Sequence, residues 1–222
     1  MKNNHLNVDS EDLEDVLKEV EKLFHISFMD NELQHVKTFG DLCDAILAKI
    51  NLPQKDDCTS QQAFYKLRNA ITENIAIDKT EIKPEKYLKE LFPRGVQINK
   101  IENIEKSLGF KLKILQVKRW IVLITIVGLV ISLVTMFVNL YYGLEFAIIL
   151  LALYFLILNK VREFKVNTIG EVVETMKQNN YFESRREQRT VNRKELVKVV
   201  EKYFIENLAT DLKELNRDTV IV

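Results

Sequence analysis

Between Trp120 and Leu158 the chain is an almost unbroken apolar run, and that run constrains everything around it. Trp120 to Leu140 reads WIVLITIVGLVISLVTMFVNL and carries no charge. As an α-helix it is about 31 Å long, close to one hydrocarbon core. Leu144 to Leu158, LEFAIILLALYFLIL, gives only about 22 Å and needs Tyr141-Tyr142 or Asn159-Lys160 to span. Its one charge, Glu145, sits at the turn end, within reach of water. A soluble chain of 222 residues has too little remaining sequence to cover so much apolar surface. The expectation is a two-helix transmembrane hairpin over 120–159, turning at Tyr141-Tyr142-Gly143.

The flanks predict its orientation. Lys111, Lys113, Lys118 and Arg119 precede the first helix; Lys160, Arg162 and Lys165 follow the second; the turn has no Lys or Arg. The positive-inside rule then places both termini in the cytoplasm, at a bacterial inner membrane. Trp120, Tyr141 and Tyr142 suit the two interfaces. Thr125, Gly128, Ser132, Thr135 and Asn139 recur every three or four residues, forming a narrow small or polar face. That face fits the second helix of the same chain. Its alternatives are another subunit, giving a homo-oligomer, or a path in a small transporter or channel subunit. Against transport, neither helix has a central ionisable residue, and two helices alone enclose no pore.

Outside the hairpin the sequence reads as helical. Six glycines, three prolines and abundant charge favour an all-α fold: a membrane helical hairpin with a cytoplasmic helical bundle. The N-terminus is polar and acidic, so no signal peptide is expected, and the first hydrophobic helix acts as its own insertion signal. The formal net charge is zero, but the charges are segregated. Asp9 to His35 holds nine acidic residues against Lys18 and Lys22; Lys83 to Arg119 holds ten basic against four acidic. Docking within the chain, contact of the basic part with anionic lipid, and two ordinary solvated faces all fit this pattern.

Four regions follow: 6–52, 58–116, the hairpin 120–159, and 166–222. In the first, Asp9 or Ser10 caps a helix with Leu13, Val16, Leu17, Val20, Leu23 and Phe24 on one stripe and an acidic opposite face. Thr38 caps a second, from Phe39 to Ile50. In the next region, Thr59 or Ser60 caps a helix with Ala63, Phe64, Leu67, Ala70 and Ile71 inward. A short helix runs from Lys83-Pro84 to Leu91, and another from Ile98 to Leu108. Near the C-terminus, Asn192 to Leu208 is a helix with Leu196, Val199, Val200, Phe204 and Leu208 inward.

The first region carries Asp9-Ser10, then a helix ending Glu21-Lys22-Leu23-Phe24, then Ile26, Phe28, Asp30 and Glu32, then Val36-Lys37-Thr38-Phe39-Gly40-Asp41-Leu42, all in unbroken register. This stretch resembles the second half of an acyl carrier protein. The resemblance implies 4'-phosphopantetheine attached at Ser10, with Asp9 as its preceding partner. It also implies that Glu11, Glu14, Asp15, Glu19 and Glu21 form the surface offered to a basic cytoplasmic protein. Two departures stand against it. Glu11 replaces the family's Leu, and Asn4-His5-Leu6-Asn7-Val8 replaces the DLG before the serine. Ser10 as a plain helix cap is the alternative.

The family's first helix is missing from the N-terminal region. Asn192 to Leu208, with the following Asn216-Arg217-Asp218-Thr219-Val220-Ile221-Val222, is similar to that helix and its loop. A circularly permuted carrier-like bundle would result, with the C-terminal helix completing the N-terminal ones; two independent helical pieces are the alternative. Val166-Asn167-Thr168-Ile169-Gly170-Glu171-Val172 echoes the pattern of Val36 to Leu42. Cys58 to Arg68, Ile82 to Arg94 and Ser107 to Leu112 resemble a group of bacterial membrane proteins of unassigned role, and imply no chemistry. There Tyr65 and Arg68 are either ligand contacts or an outer helix face.

Known catalytic patterns are missing. There is no phosphate-cradling glycine-rich loop. His5, His25 and His35 have no metal-ligand spacing and suggest no nucleophilic triad. Cys43 and Cys58 follow no metal spacing either, and are expected as reduced thiols. The basic run Arg185-Arg186-Glu187-Gln188-Arg189 lacks interleaved aromatics, so it reads as a solvated loop or headgroup contact rather than a nucleic-acid site. The expectation is no enzyme and no metal. The function expected is a membrane-anchored carrier or carrier-derived interaction module, and its alternative a membrane scaffold without carrier activity.

Overall fold

The computed structural model describes residues 10–29, 31–93, 97–158, 161–208 and 215–221, with Ser10 and Gln97 described by backbone only. Asp9, the remainder of 1–8, and Asn159-Lys160 lie outside the described residues. The chain is mostly helical: α1 (Ser10–Phe24), α2 (Phe39–Ile50), α3 (Thr59–Asn74), α4 (Leu88–Leu91), α5 (Gln97–Leu108), β1 (Leu115–Val117), α6 (Arg119–Val138), α7 (Leu140–Leu158), β2 (Arg162–Phe164), α8 (Ile169–Asn179), α9 (Tyr181–Ser184) and α10 (Arg193–Asn207). It divides into two compact units, one of 1–69 with 173–222 and one of 70–172, the divisions falling within α3 and α8.

The first unit joins the two ends of the chain. Val16, Val20 and Phe24 of α1 share one core with Phe39, Leu42, Cys43 and Ile46 of α2 and Leu196, Val199, Val200 and Phe204 of α10. These are the stripes that the 3.6-residue period selects. Tyr181 and Phe182 of α9 meet the Phe24 ring edge to face, at centroid distances of 6.5 and 6.1 Å. Leu215 and Ile221 close the same core.

In the second unit, Leu115 to Val117 pairs antiparallel with Arg162 to Phe164. This two-stranded ribbon departs from the all-α expectation. Three-residue strands are too short to show an alternating pattern, and the sequence offers no hairpin turn because α6 and α7 lie between them. Phe164 meets Phe92 at 5.9 Å, fixing β2 to the unit.

α6 and α7 are both long and apolar enough to cross a membrane, at about 30 and 28 Å. Only 17% and 6% of their apolar windows are buried within the chain. They run antiparallel and pack on each other. Gly128 sits against Leu150, and Ser132 Oγ donates to the Gly143 carbonyl at 2.7 Å. The turn differs from the expected one. Tyr141, Tyr142 and Gly143 are helical, and the chain reverses at Asn139 alone, which is extended (φ −152°, ψ 113°). Its side-chain Oδ1 accepts from the Tyr141 N–H at 3.0 Å, capping α7 in the manner that Asn favours. Gly143 makes so short a reversal fit, because a Cβ there would come within 2.6 Å of the Met136 backbone nitrogen. The tyrosines thus lengthen α7.

The echoed motif has one structural meaning in both units. Thr38 and Thr168 each accept from the backbone N–H three residues on, at 3.1 and 3.2 Å, and the acidic residue there reaches back to the chain. In the first unit, Phe39 N–H donates to Thr219 O, Gly40 N–H to Arg217 O and Ile221 N–H to Lys37 O. In the second, Ile169 N–H donates to Lys86 O, Gly170 N–H to Pro84 O and Leu88 N–H to Asn167 O. Each helix start is docked on a loop in the same pattern, which satisfies amide groups that a helix leaves open. The glycine lets the loop approach: a Cβ would lie 2.8 Å from Arg217 O at Gly40 and 3.2 Å from Pro84 O at Gly170. The same docking explains why the expected helix from Lys83 begins only at Leu88. The carbonyls of Pro84 and Lys86 point to α8 and cannot serve a helix.

Candidate functional site

The acidic face is built on α1. Val16, Val20 and Phe24 anchor one side of the helix in the core, so Glu11, Asp12, Glu14, Asp15 and Glu19 are left exposed. Two lysines moderate this charge: Lys18 pairs with Glu14 at 2.9 Å, and Lys22 with Glu19 at 2.5 Å. Those carboxylates raise both ammonium pKa values, first through the hydrogen bonds and then through their charge. Asp12 makes no ion pair among the described residues. Glu21 differs from its neighbours. It is half-buried, and its carboxylate accepts the Phe28 backbone N–H, holding the turn after α1.

Beside this face is a shallow cavity of about 270 Å³ between α1 and α10, lined by Asp12, Asp15, Val16, Glu19, Tyr203 and Asn207. Three carboxylates, a phenol and an amide around an apolar floor suit a Lys or Arg side chain. Burial raises the Tyr203 pKa, and Glu19 adds to it, so the phenol remains protonated and able to donate. The sequence pointed to Asp15 and Glu19, but not to Asp12. Tyr203 and Asn207 were not legible there, since they join the site only through packing of α10.

Ser10 is the first helical residue of α1. Its side chain and all of Asp9 lie outside the described residues. A serine at a helix start is a fitting place for a phosphate diester, since open N–H groups and the helix dipole favour an anion there. Glu11, exposed beside it, adds a like charge to that position.

A second polar cluster carried no signal in the sequence. Arg185, expected in a solvated or headgroup-contacting run, is fully buried, whereas Arg186 and Arg189 are exposed as expected of that run. Its guanidinium donates to Thr59 Oγ1 at 2.6 Å, to Thr190 Oγ1 at 3.2 and 3.3 Å, to the Asp57 carboxylate, and to the Lys55 carbonyl. It also lies 5.8 Å from the Tyr181 ring centroid. Burial pushes the Asp57 carboxyl up, but a hydrogen bond from Gln62 and the Arg185 charge outweigh it, leaving the pKa low. Asn192 N–H donates to Tyr181 Oη at 3.1 Å, and Thr59 N–H donates to Glu195. A charge that is buried and this fully bonded is a structural clamp, tying the segment before α3 to the one before α10.

Tyr65 and Arg68, read as ligand contacts or an outer face, stack on each other, with the guanidinium 4.9 Å from the Tyr65 ring and 5.5 Å from Phe64. Among the described residues no group of His, Cys, Asp and Glu is placed to hold a metal ion. Comparison with protein-family models, curated proteins and solved structures finds no match to this chain.

Proposed function

We propose that the protein is a membrane-anchored, acyl-carrier-derived interaction module that presents the acidic face of α1 to a basic cytoplasmic partner. The observation that carries this reading is the exposed carboxylate row of α1 bordering the Asp12, Asp15, Glu19 and Tyr203 cavity. α6 and α7 would be the anchor, in a bacterial inner membrane with both termini cytoplasmic, as the flanking cations favour. The centre of the small-residue face of α6, Gly128 and Ser132, is taken up by α7, which weighs against a transporter or channel subunit. The matching helix starts at Thr38 and Thr168 support derivation of both units from one carrier-like bundle.

Whether the module still carries an arm is a separate matter. Ser10 would hold 4'-phosphopantetheine; its chemistry, a flexible thiol for acyl groups, belongs to the cofactor. The exposed Glu11 favours a second reading, a scaffold that keeps the docking face without carrier activity. Intact mass after coexpression with a phosphopantetheinyl transferase separates the two. A gain of one arm, lost in Ser10→Ala, identifies a carrier, and an unchanged mass leaves the scaffold. The docking face is tested by a photo-crosslinker at Asp15 in cells. A basic partner should be captured, and Asp12→Lys with Glu19→Lys should abolish the capture. Capture that survives the reversal would remove the acidic face from the proposal.

A further inference from the structure

The hairpin's open end is closed by the β1–β2 ribbon, and beside the ribbon is a second cavity, of about 280 Å³, within the same unit. Ile101, Glu102, Glu105, Lys111, Lys113, Ile114, Leu115 and Arg162 line it. Glu105 is committed: it accepts the Leu112 N–H at 2.8 Å and pairs with Lys111 at 2.9 Å. Arg162 Nε donates to the Leu158 carbonyl at the end of α7, which fixes the guanidinium where the apolar helix stops. Lys113 is exposed, has a left-handed backbone (φ 56°) and makes no ion pair among the described residues. Lys118, Arg119 and Lys165 stand on the adjoining chain, also without ion pairs among the described residues.

We infer that this cavity binds the phosphate of an anionic lipid headgroup, an inference that rests on reading α6 and α7 as membrane-spanning. Three cationic side chains converge on it, and it lies where the apolar length of α7 ends. A phosphodiester there would meet Lys113 in the field of the Arg162 charge, while its acyl chains continue along the exposed apolar surface of the helices. Two carboxylates in the lining make a bare, doubly charged phosphate a poorer fit than a singly charged diester.

Trp120 is the sole tryptophan, exposed at the first turn of α6, and serves as the probe. The full chain is reconstituted in bilayers in which brominated acyl chains are carried by either phosphatidylcholine or phosphatidylglycerol. Phosphatidylglycerol should be enriched beside Trp120 by about fivefold, the scale of one basic group at an anionic surface. Lys113→Gln should remove most of that preference, and Arg162→Gln should act likewise. Lys118→Gln with Lys165→Gln, outside the cavity, should leave most of it. Equal loss in that pair would overturn the cavity in favour of a diffuse surface effect. Loss to inorganic phosphate, but not to sodium chloride of equal ionic strength, would assign the site to free phosphate and overturn the lipid. Absence of quenching by either lipid would refute the membrane reading itself.

Discussion

The Phe39 and Phe204 rings meet edge to face, 5.6 Å apart and 66° inclined, bringing the N-terminal and C-terminal helices into one core. Both side chains are fully buried. Phe204→Ala should therefore cost about 3–5 kcal/mol. Thermal unfolding in detergent should show the loss, and Phe39→Ala should cost less in the Phe204→Ala background than alone. Additive losses would mean that the two rings do not share a contact.

The Arg185 clamp sets an acid limit. The Asp57 carboxyl titrates below its ordinary value in the folded chain. Its stabilising contribution is present above the unfolded pKa and is lost as pH falls through the lower folded one. Stability measured from pH 6 down to about 2 should fall below about pH 4, and Asp57→Asn should flatten that decline. At neutral pH, Arg185→Met should cost about 1–3 kcal/mol, by leaving the Thr59 and Thr190 hydroxyls and the Lys55 carbonyl without their buried donor. A neutral effect of Arg185→Met would show that the buried guanidinium contributes nothing net.

The hairpin turn distinguishes two glycines. A methyl group at Gly143 would meet Met136 backbone, whereas one at Gly128 would meet the mobile end of Leu150. Gly143→Ala should lower the melting temperature in detergent clearly more than Gly128→Ala. The reverse order would exclude a reversal at Asn139.

Thiol labelling reads the first unit directly. Cys43 is buried in α2, and burial pushes its pKa up to about 12; Cys58 is exposed. A maleimide at pH 7 should modify Cys58 in the native protein and reach Cys43 only on unfolding. Equal rates in the native state would contradict a closed α1–α2–α10 core.

Much of the local structure was legible because it depends on short-range period and capping. The stripes of α1, α2 and α10, the Thr38 cap, and the length of α6 all follow from residues a few positions apart. The acidic face was legible for the same reason, as the side of α1 left over by its apolar stripe. Tertiary structure decided what depends on distant partners. The β ribbon exists because α6 and α7 return the chain beside its own start. Gly40 and Gly170 are required by loops remote in sequence. Arg185 is buried, and Arg186 beside it exposed, because only one of two equal guanidinium groups finds Asp57, Thr59 and Thr190 around it. Periodicity assigns each residue a side of its own helix, and the enclosing partners come from elsewhere in the chain.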